Sequence, residues 1–312
     1  MVINRKTELK ADMMLVLVTL CWGLSYYFMD ICLGAMDAFT LNAYRFLGAF
    51  FVAGLFSFKK LKTVSRTTLL YSLAVGTTLV FVYSGATLGV KYTTLSNAAF
   101  LCSTTVIATP ILEYVLFRKK TSKKILLAVA VCMFGIMLLT LKEDFSFNMH
   151  NLKGDLFSLM AGLTYAVDII VVDKAVNNKD VDPYQMGVFG LGVTGTIMLV
   201  LSLIIGTPMI PDTPVLWGTV IFLSLFCTGL AFIIQPIAQQ YTEASHVGII
   251  YSLEPVFAGV TAFFLAGEIL TARGYLGELL MVSSLFIMEI DFSRFTRKRP
   301  QVELPEEELP EE

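Results

Sequence analysis

MMLVLVTLCWGLSYYFM, residues 13–29, runs for 17 positions without a charge. As an α-helix it would rise about 26 Å, close to the roughly 30 Å hydrocarbon thickness of a bilayer. Nothing in it alternates as a half-buried strand would. Farther on the opposite pattern appears: FRKKTSKK, residues 117–124, holds five basic residues in eight. Long apolar runs and short charged ones alternate in this way along nearly the whole chain of 312 residues. Charged residues make up 15% and apolar ones 56% of it, with a mean hydropathy of +0.72, against roughly 25% charge in soluble domains.

Reading outward from 13–29, the apolar runs fall at about 13–35, 38–58, 68–90, 95–117, 124–142, 153–173, 184–206, 214–238, 245–266 and 272–291. In lipid the backbone must bond to itself, so runs of this length are expected as helices. The expectation is an all-α integral membrane protein of about ten transmembrane helices. The first run is too long and too late for a signal peptide, and no small-residue cleavage site follows it. Basic residues set the orientation. With the N-terminus inside, the inner segments hold 18 of the 23 Lys and Arg, the outer loops hold Lys91, Lys142, Lys153 and Arg273, and Arg45 lies within a span. That imbalance predicts both termini in the cytoplasm and an even helix count. Residues 292–312 then form a charged cytoplasmic tail, whose end, QVELPEEELPEE, is expected to be solvated.

Two stretches echo each other. WGLSYYF (22–28) resembles AGLTYAV (161–167), and KYTTLSNAAF (91–100) resembles QYTEASHVGI (240–249), at offsets of 139 and 149 residues. This divides the chain into repeats of five spans each, 13–142 and 153–291. An odd number of spans threads the second repeat through the membrane in the opposite sense, giving the inverted repeat of many secondary transporters. Ser96 and Pro110 are 14 residues apart, Ser245 and Pro255 only 10. The difference is about one helical turn, so the two prolines are expected on similar faces at different depths.

The same stretches resemble a known family. Trp22-Gly23, Arg45 in LNAYRFLGAF, SNAAFLCSTTVIATPILEYVLFRKK (96–120) and YTEASHVGIIYSLEPVFAGVTAFFLAGEILTARGYLGE (241–278) are similar to the EamA-type branch of the drug/metabolite transporter superfamily. The resemblance covers about residues 13 to 291. It implies export of amino acids and other small metabolites across a bacterial-type plasma membrane, and it names no substrate.

Glu254 is the first candidate for chemistry. It lies mid-span, where an ionisable group is costly and usually faces a wet cavity. Pro255 follows it, removes one N–H, and is expected to free the carbonyl of Tyr251 and bend the helix. Glu254 and Tyr251 together read as a substrate or proton site; the bland alternative is a protonated acid bonded to another helix. Arg45, about 10 Å in from the outer end of its helix by helical rise, can bind a substrate carboxylate, pair with Glu254 or Asp30, or snorkel outward. Asp168 is a gating or coupling candidate, but an acid reaching the inner surface beside Asp173 and Lys174 is the preferred reading. Pro110 is the matching gating candidate in the first repeat. Glu113 reads as a surface ion pair near Arg118.

Asn42, Asn97, Gln235 and Gln239 are polar groups that can bond a solute or link helices. Trp22, Tyr26, Tyr83 and Tyr165 can wall a cavity or simply pack. His246 is a helix-end residue or a proton relay; Glu268, Glu278, Glu289 and Asp291 are expected near solvated helix ends. Gly85 and Gly89 form GxxxG, and Gly187, Gly190, Gly192 and Gly195 line one span, which favours close helix packing. The five cysteines fall in apolar runs without metal-ligand spacing and read as small hydrophobes.

No GxxxxGK[ST], HExxH or GxSxG stretch occurs, and no metal, cofactor or nucleic-acid partner is expected. The expected partners are a small-molecule substrate, the lipid bilayer and, as a candidate, protons. A secondary transporter of a neutral or zwitterionic solute is the leading expectation, with an uncoupled facilitator as alternative. A membrane enzyme would need converging His, Asp, Ser or Lys within the spans, and a non-transporting receptor would tolerate Glu254→Gln.

Overall fold

The computed structural model describes residues 5–118, 123–140, 149–241, 247, 250–251 and 253–289. Within them the chain is a bundle of helices: α1 (Arg5–Leu33), α2 (Ala38–Leu61), α3 (Arg66–Tyr92), α4 (Leu95–Cys102), α5 (Thr105–Phe117), α6 (Lys123–Thr140), α7 (Leu152–Val176), α8 (Pro183–Ile205), α9 (Pro214–Ser224), a π-turn (Leu225–Leu230), α10 (Ala231–Gln239), α11 (Leu253–Leu265) and α12 (Ala272–Glu289). Seven stretches are long and apolar enough to cross a membrane: Leu9–Leu33, Ala38–Leu61, Arg66–Tyr92, Leu95–Phe117, Leu152–Val176, Pro183–Ile205 and Pro214–Gln239. The other three expected spans coincide with α6, α11 and α12, described for 18, 13 and 18 residues. His246, Asp291 and the tail 292–312 lie outside the described residues, as does the Glu289 side chain.

The helix starts are written in the sequence. Asp37, Ser65, Thr94, Asp182 and Thr213 each accept a hydrogen bond from a backbone N–H of the turn they open. Such caps are worth about 1 kcal/mol each. Pro183 and Pro214 follow two of them, where a missing N–H costs nothing. Asp37 does more than cap. It accepts from the N–H groups of Phe39 and Thr40, from the Thr40 hydroxyl and from the N–H of Thr207, so it ties the α1–α2 loop to the end of α8. Burial pushes its carboxyl up, but those four donors outweigh burial and hold it below its ordinary value of 3.8. A depressed carboxylate stabilises the fold above its unfolded pKa and loses that contribution as pH falls through the folded one. We therefore expect Asp37→Asn to flatten the fall in melting temperature below about pH 4, measured by thermal unfolding in detergent from pH 6 to pH 3. An unchanged acid limb would remove Asp37 from that role.

Two predicted spans are interrupted. The stretch 95–117 breaks at Ser103–Thr104, where the chain tightens into i→i+3 bonds: Thr104 N–H to Leu101 O at 3.2 Å, Val106 N–H to Ser103 O at 3.0 Å and Ile107 N–H to Thr104 O at 3.1 Å. The hydroxyls of Ser103 and Thr104 donate to the carbonyls of Phe100 and Leu101, so the break leaves few polar orphans. In 214–238 the helix widens into the π-turn, a form frequently found at functional sites.

Packing uses the small residues. A Cβ on Gly85 would lie 2.7 Å from the Phe157 carbonyl oxygen, and one on Gly195 would lie 2.7 Å from the Leu47 amide nitrogen. These glycines bring α3 against α7 and α8 against α2. The neighbours obey a rule: α3 packs on α7 and α1 on α10; α1 packs on α11 and α7 on α4 and α5; α3 packs on α8 and α2 on α9; α2 packs on α8 and α6 on α12. Each contact returns another contact in the same set when α1–α6 and α7–α12 exchange places. Large apolar side chains point outward, among them Leu55, Phe56, Ile204 and Ile269, each more than 70% exposed. That is the surface of a protein whose solvent is lipid.

Candidate functional site

Trp22 and Tyr26 stand four apart on α1 and so share one face. The Trp22 Nε1–H donates to the Cys227 carbonyl of the π-turn at 3.1 Å, which satisfies the indole and fixes its ring. Around it Tyr165, Phe232 and Tyr251 lie with ring centroids at 5.7, 5.5 and 4.9 Å. The edge-on geometry of Tyr165 and Tyr251 to the indole is the favoured one for aromatic pairs. Tyr165 and Tyr251 themselves stack at 6.0 Å with 8° between planes. Tyr83 adds a further wall against Phe232, with centroids 5.6 Å apart.

These rings enclose a cavity of about 50 Å³. That exceeds the roughly 10–15 Å³ of such space that one water needs. Glu254 lines it, and the Tyr26 hydroxyl donates to Glu254 Oε1 at 2.8 Å. Ser25, Cys102, Ser103 and Thr105 add polar atoms, the last three from the break between α4 and α5. An acid whose hydrogen-bond partner among the described residues is a phenol, facing several aromatic rings, suits a proton or an ammonium group. The carboxylate supplies the opposite charge and the rings supply cation–π faces.

Six of the residues singled out from sequence thus meet in one place: Trp22, Tyr26, Tyr83, Tyr165, Tyr251 and Glu254. Gln235 stands behind the wall, accepting from the Tyr165 hydroxyl at 3.0 Å and donating to Gln239 at 3.3 Å. Pro255 is buried beside Glu254, in the first turn of described α11. Pro110 is buried within α5 and does not line the cavity.

Others differ from expectation. Asp168 does not reach the inner surface; it is fully buried, accepts from the hydroxyl of Thr78 on α3, and its second oxygen has no partner among the described residues. Arg45 does not snorkel. It is fully buried and forms no ion pair with Glu254 or with Asp30, which is exposed. Asn42 links helices instead of lining the cavity, donating to the Tyr83 carbonyl at 3.2 Å and to Thr87 Oγ1 at 3.0 Å. Asn97 lies in the first turn of α4, where its amide approaches Asp155 at 3.4 Å. Glu113 is buried, not a surface residue. Glu268 accepts from the Ser96 N–H at 3.3 Å, and Glu268 and Glu278 each keep one buried oxygen without a partner among the described residues, so neither is simply solvated.

Sequence reasoning missed Phe232 and the 102–105 hydroxyl cluster. Phe232 sits in an ordinary apolar run, and the π-turn before it decides which way it faces. The cluster did carry a signal: CSTT is a run of small hydrogen-bonding residues inside a span.

Comparison with known proteins agrees with this architecture. The model of the EamA-like transporter family matches residues 9–141 and 152–290. An uncharacterized transporter of Archaeoglobus fulgidus is 27% identical over 287 residues, covering 91% of this chain and 87% of the relative. The uncharacterized transporter YoaV of Bacillus subtilis is 24% identical over 285 residues, covering 89% and 96%. A protein of known crystal structure has the same fold, with a TM-score of 0.69 over 94% of this chain and 100% of its own at 13% identity. With both matched segments and seven helices apolar enough to cross a bilayer, the chain is a multi-pass cell-membrane protein that belongs to the EamA-like transporter family, and small-solute transport is its work.

Proposed function

We propose that the chain is a secondary transporter that moves a small amino-acid-like solute, in the direction of export, by alternating access between two inverted five-helix repeats. The observation that carries this reading is the aromatic cavity with Glu254 at its edge, built from helices of both repeats. The exchange rule among helix contacts supports the inverted arrangement, since each interface that closes one side has a counterpart able to close the other. At about 50 Å³ the cavity is too small for an amino acid, which fits a state in which the walls have closed. Glu254 carries the coupled proton: an ammonium and a proton compete for the same carboxylate, so loading one releases the other.

The test is flux in proteoliposomes. Purified protein is reconstituted, and uptake of a panel of labelled amino acids is measured with and without an imposed pH gradient. We expect at least one neutral amino acid to be carried, faster when the opposing compartment is acidic. Carriage that ignores the gradient would leave an uncoupled facilitator, a reading favoured by the neutral phenol that already bonds Glu254. No carriage by an intact, folded protein would sink the transporter mechanism.

A further inference from the structure

Arg45 presents an unbalanced charge. It is fully buried in α2, and a guanidinium cannot escape burial by giving up its proton. Nε–H donates to Thr228 Oγ1 at 3.1 Å. Nη1 and Nη2 are both buried and meet no acceptor with hydrogen-bond geometry among the described residues. One face is covered by Tyr83, whose ring centroid is 4.9 Å from Cζ. Tyr83 also lies within polar reach, and its ring lies over the guanidinium face. The thiols of Cys32 and Cys227 also lie close enough to act on Arg45. Among the described residues no carboxylate pairs with it.

A buried cation without a counter-charge costs several kcal/mol. The way it is held also matters. Nε is anchored, one face is covered and two adjacent Nη groups are left free. That is the fork by which arginine takes a carboxylate in two parallel bonds. The anchor, Thr228, belongs to the π-turn, and the residue before it, Cys227, holds Trp22 through its carbonyl. Arg45 and the wall of the cavity are therefore joined through two consecutive residues, and they share Tyr83.

We propose that Arg45, with Thr228 and Tyr83, forms a carboxylate-binding site next to the aromatic cavity. A solute in that cavity is then selected for carrying a carboxylate. This rests on the cavity being the solute site. With Arg45 fully buried, a carboxylate reaches it only when neighbouring side chains move aside, which separates the site from any surface salt effect.

Isobutyrate and isobutyramide test it, since they share size and planarity and differ in charge. The chain has two tryptophans. Replacing the half-exposed one, Trp217→Phe, leaves Trp22 as the reporter beside the π-turn. In that background, at constant ionic strength with chloride as the background anion, we expect a saturable change in Trp22 emission. Isobutyrate should bind about 30-fold more tightly than isobutyramide, the range of a charge-assisted pair. Arg45→Met should bring the two within about threefold, and Arg45→Lys should keep a weakened preference for isobutyrate. Melting curves confirm that the variants fold; loss of a buried unpaired charge is not expected to weaken them. Equal responses to the two probes, no response to either, or a preference that survives Arg45→Met would overturn the site. A halide response alone would assign Arg45 to chloride and overturn the carboxylate. Carboxylate binding without flux would keep this site and sink the transporter reading; flux without carboxylate preference would do the reverse.

Discussion

Glu254→Gln is expected to abolish the response of solute flux to a pH gradient while leaving the fold intact. Glutamine keeps a carbonyl oxygen where Oε1 now accepts from the Tyr26 hydroxyl at 2.8 Å, so the link between α1 and α11 survives. What disappears is the negative charge and the ability to bind and release a proton. A hydrogen bond to a charged group contributes about 1.5–3 kcal/mol, so flux of an ammonium-bearing solute should fall by roughly 10- to 100-fold. The remaining flux should be the same with and without the gradient. Glu254→Asp keeps the charge but withdraws it by one methylene. It should recover gradient dependence at a reduced rate. Both are read in the same vesicles, with melting temperature as the folding control. A glutamine variant that still accelerates in the gradient would reduce Glu254 to a structural bond.

The second large effect concerns the α3–α7 contact. Gly85→Leu is expected to prevent assembly of the folded bundle. Even the Cβ of alanine would sit 2.7 Å from the Phe157 carbonyl oxygen and 3.0 Å from the Ala161 Cβ and amide nitrogen. These atoms are mostly backbone and cannot turn aside. Gly85→Ala should cost about 1–3 kcal/mol, the usual range for overpacking, and leucine should exceed what a marginally stable fold tolerates. Gly54 supplies the control, because a Cβ there meets nothing within 4 Å. Gly54→Leu should purify and melt like the parent. Size-exclusion profiles and thermal unfolding in detergent decide the matter: a Gly85→Leu protein as monodisperse as Gly54→Leu would contradict the close-contact account.

The helices were legible because lipid enforces length and apolarity on each span, and residues 13–29 alone show both. The caps carry a local signal that the sequence reading did not use: Asp37, Ser65, Thr94 and Asp182 each offer a side-chain oxygen to backbone N–H groups at a helix start. Burial of individual polar side chains was not legible, because it depends on which helix arrives opposite. Asp168 reads as a surface acid until α3 brings Thr78 to it. Asn42 reads as a cavity donor until the Tyr83 carbonyl and Thr87 claim it. The π-turn left no trace in the string LFCTGL, since one extra residue in a turn changes neither composition nor apolar length. Phe232 was therefore missed, although Trp22, Tyr26, Tyr165, Tyr251 and Glu254 stand out for being aromatic or charged in oily surroundings.

That extra residue has a mechanical consequence. If Leu225–Leu230 closed into α-geometry, everything beyond it would advance by one position, a turn of about 100° and a rise of about 1.5 Å. Phe232 would swing off its ring contacts, and Gln235 would leave the Tyr165 hydroxyl. Trp22 would be pulled by its bond to the Cys227 carbonyl. The segment is a slip of one residue within the helix.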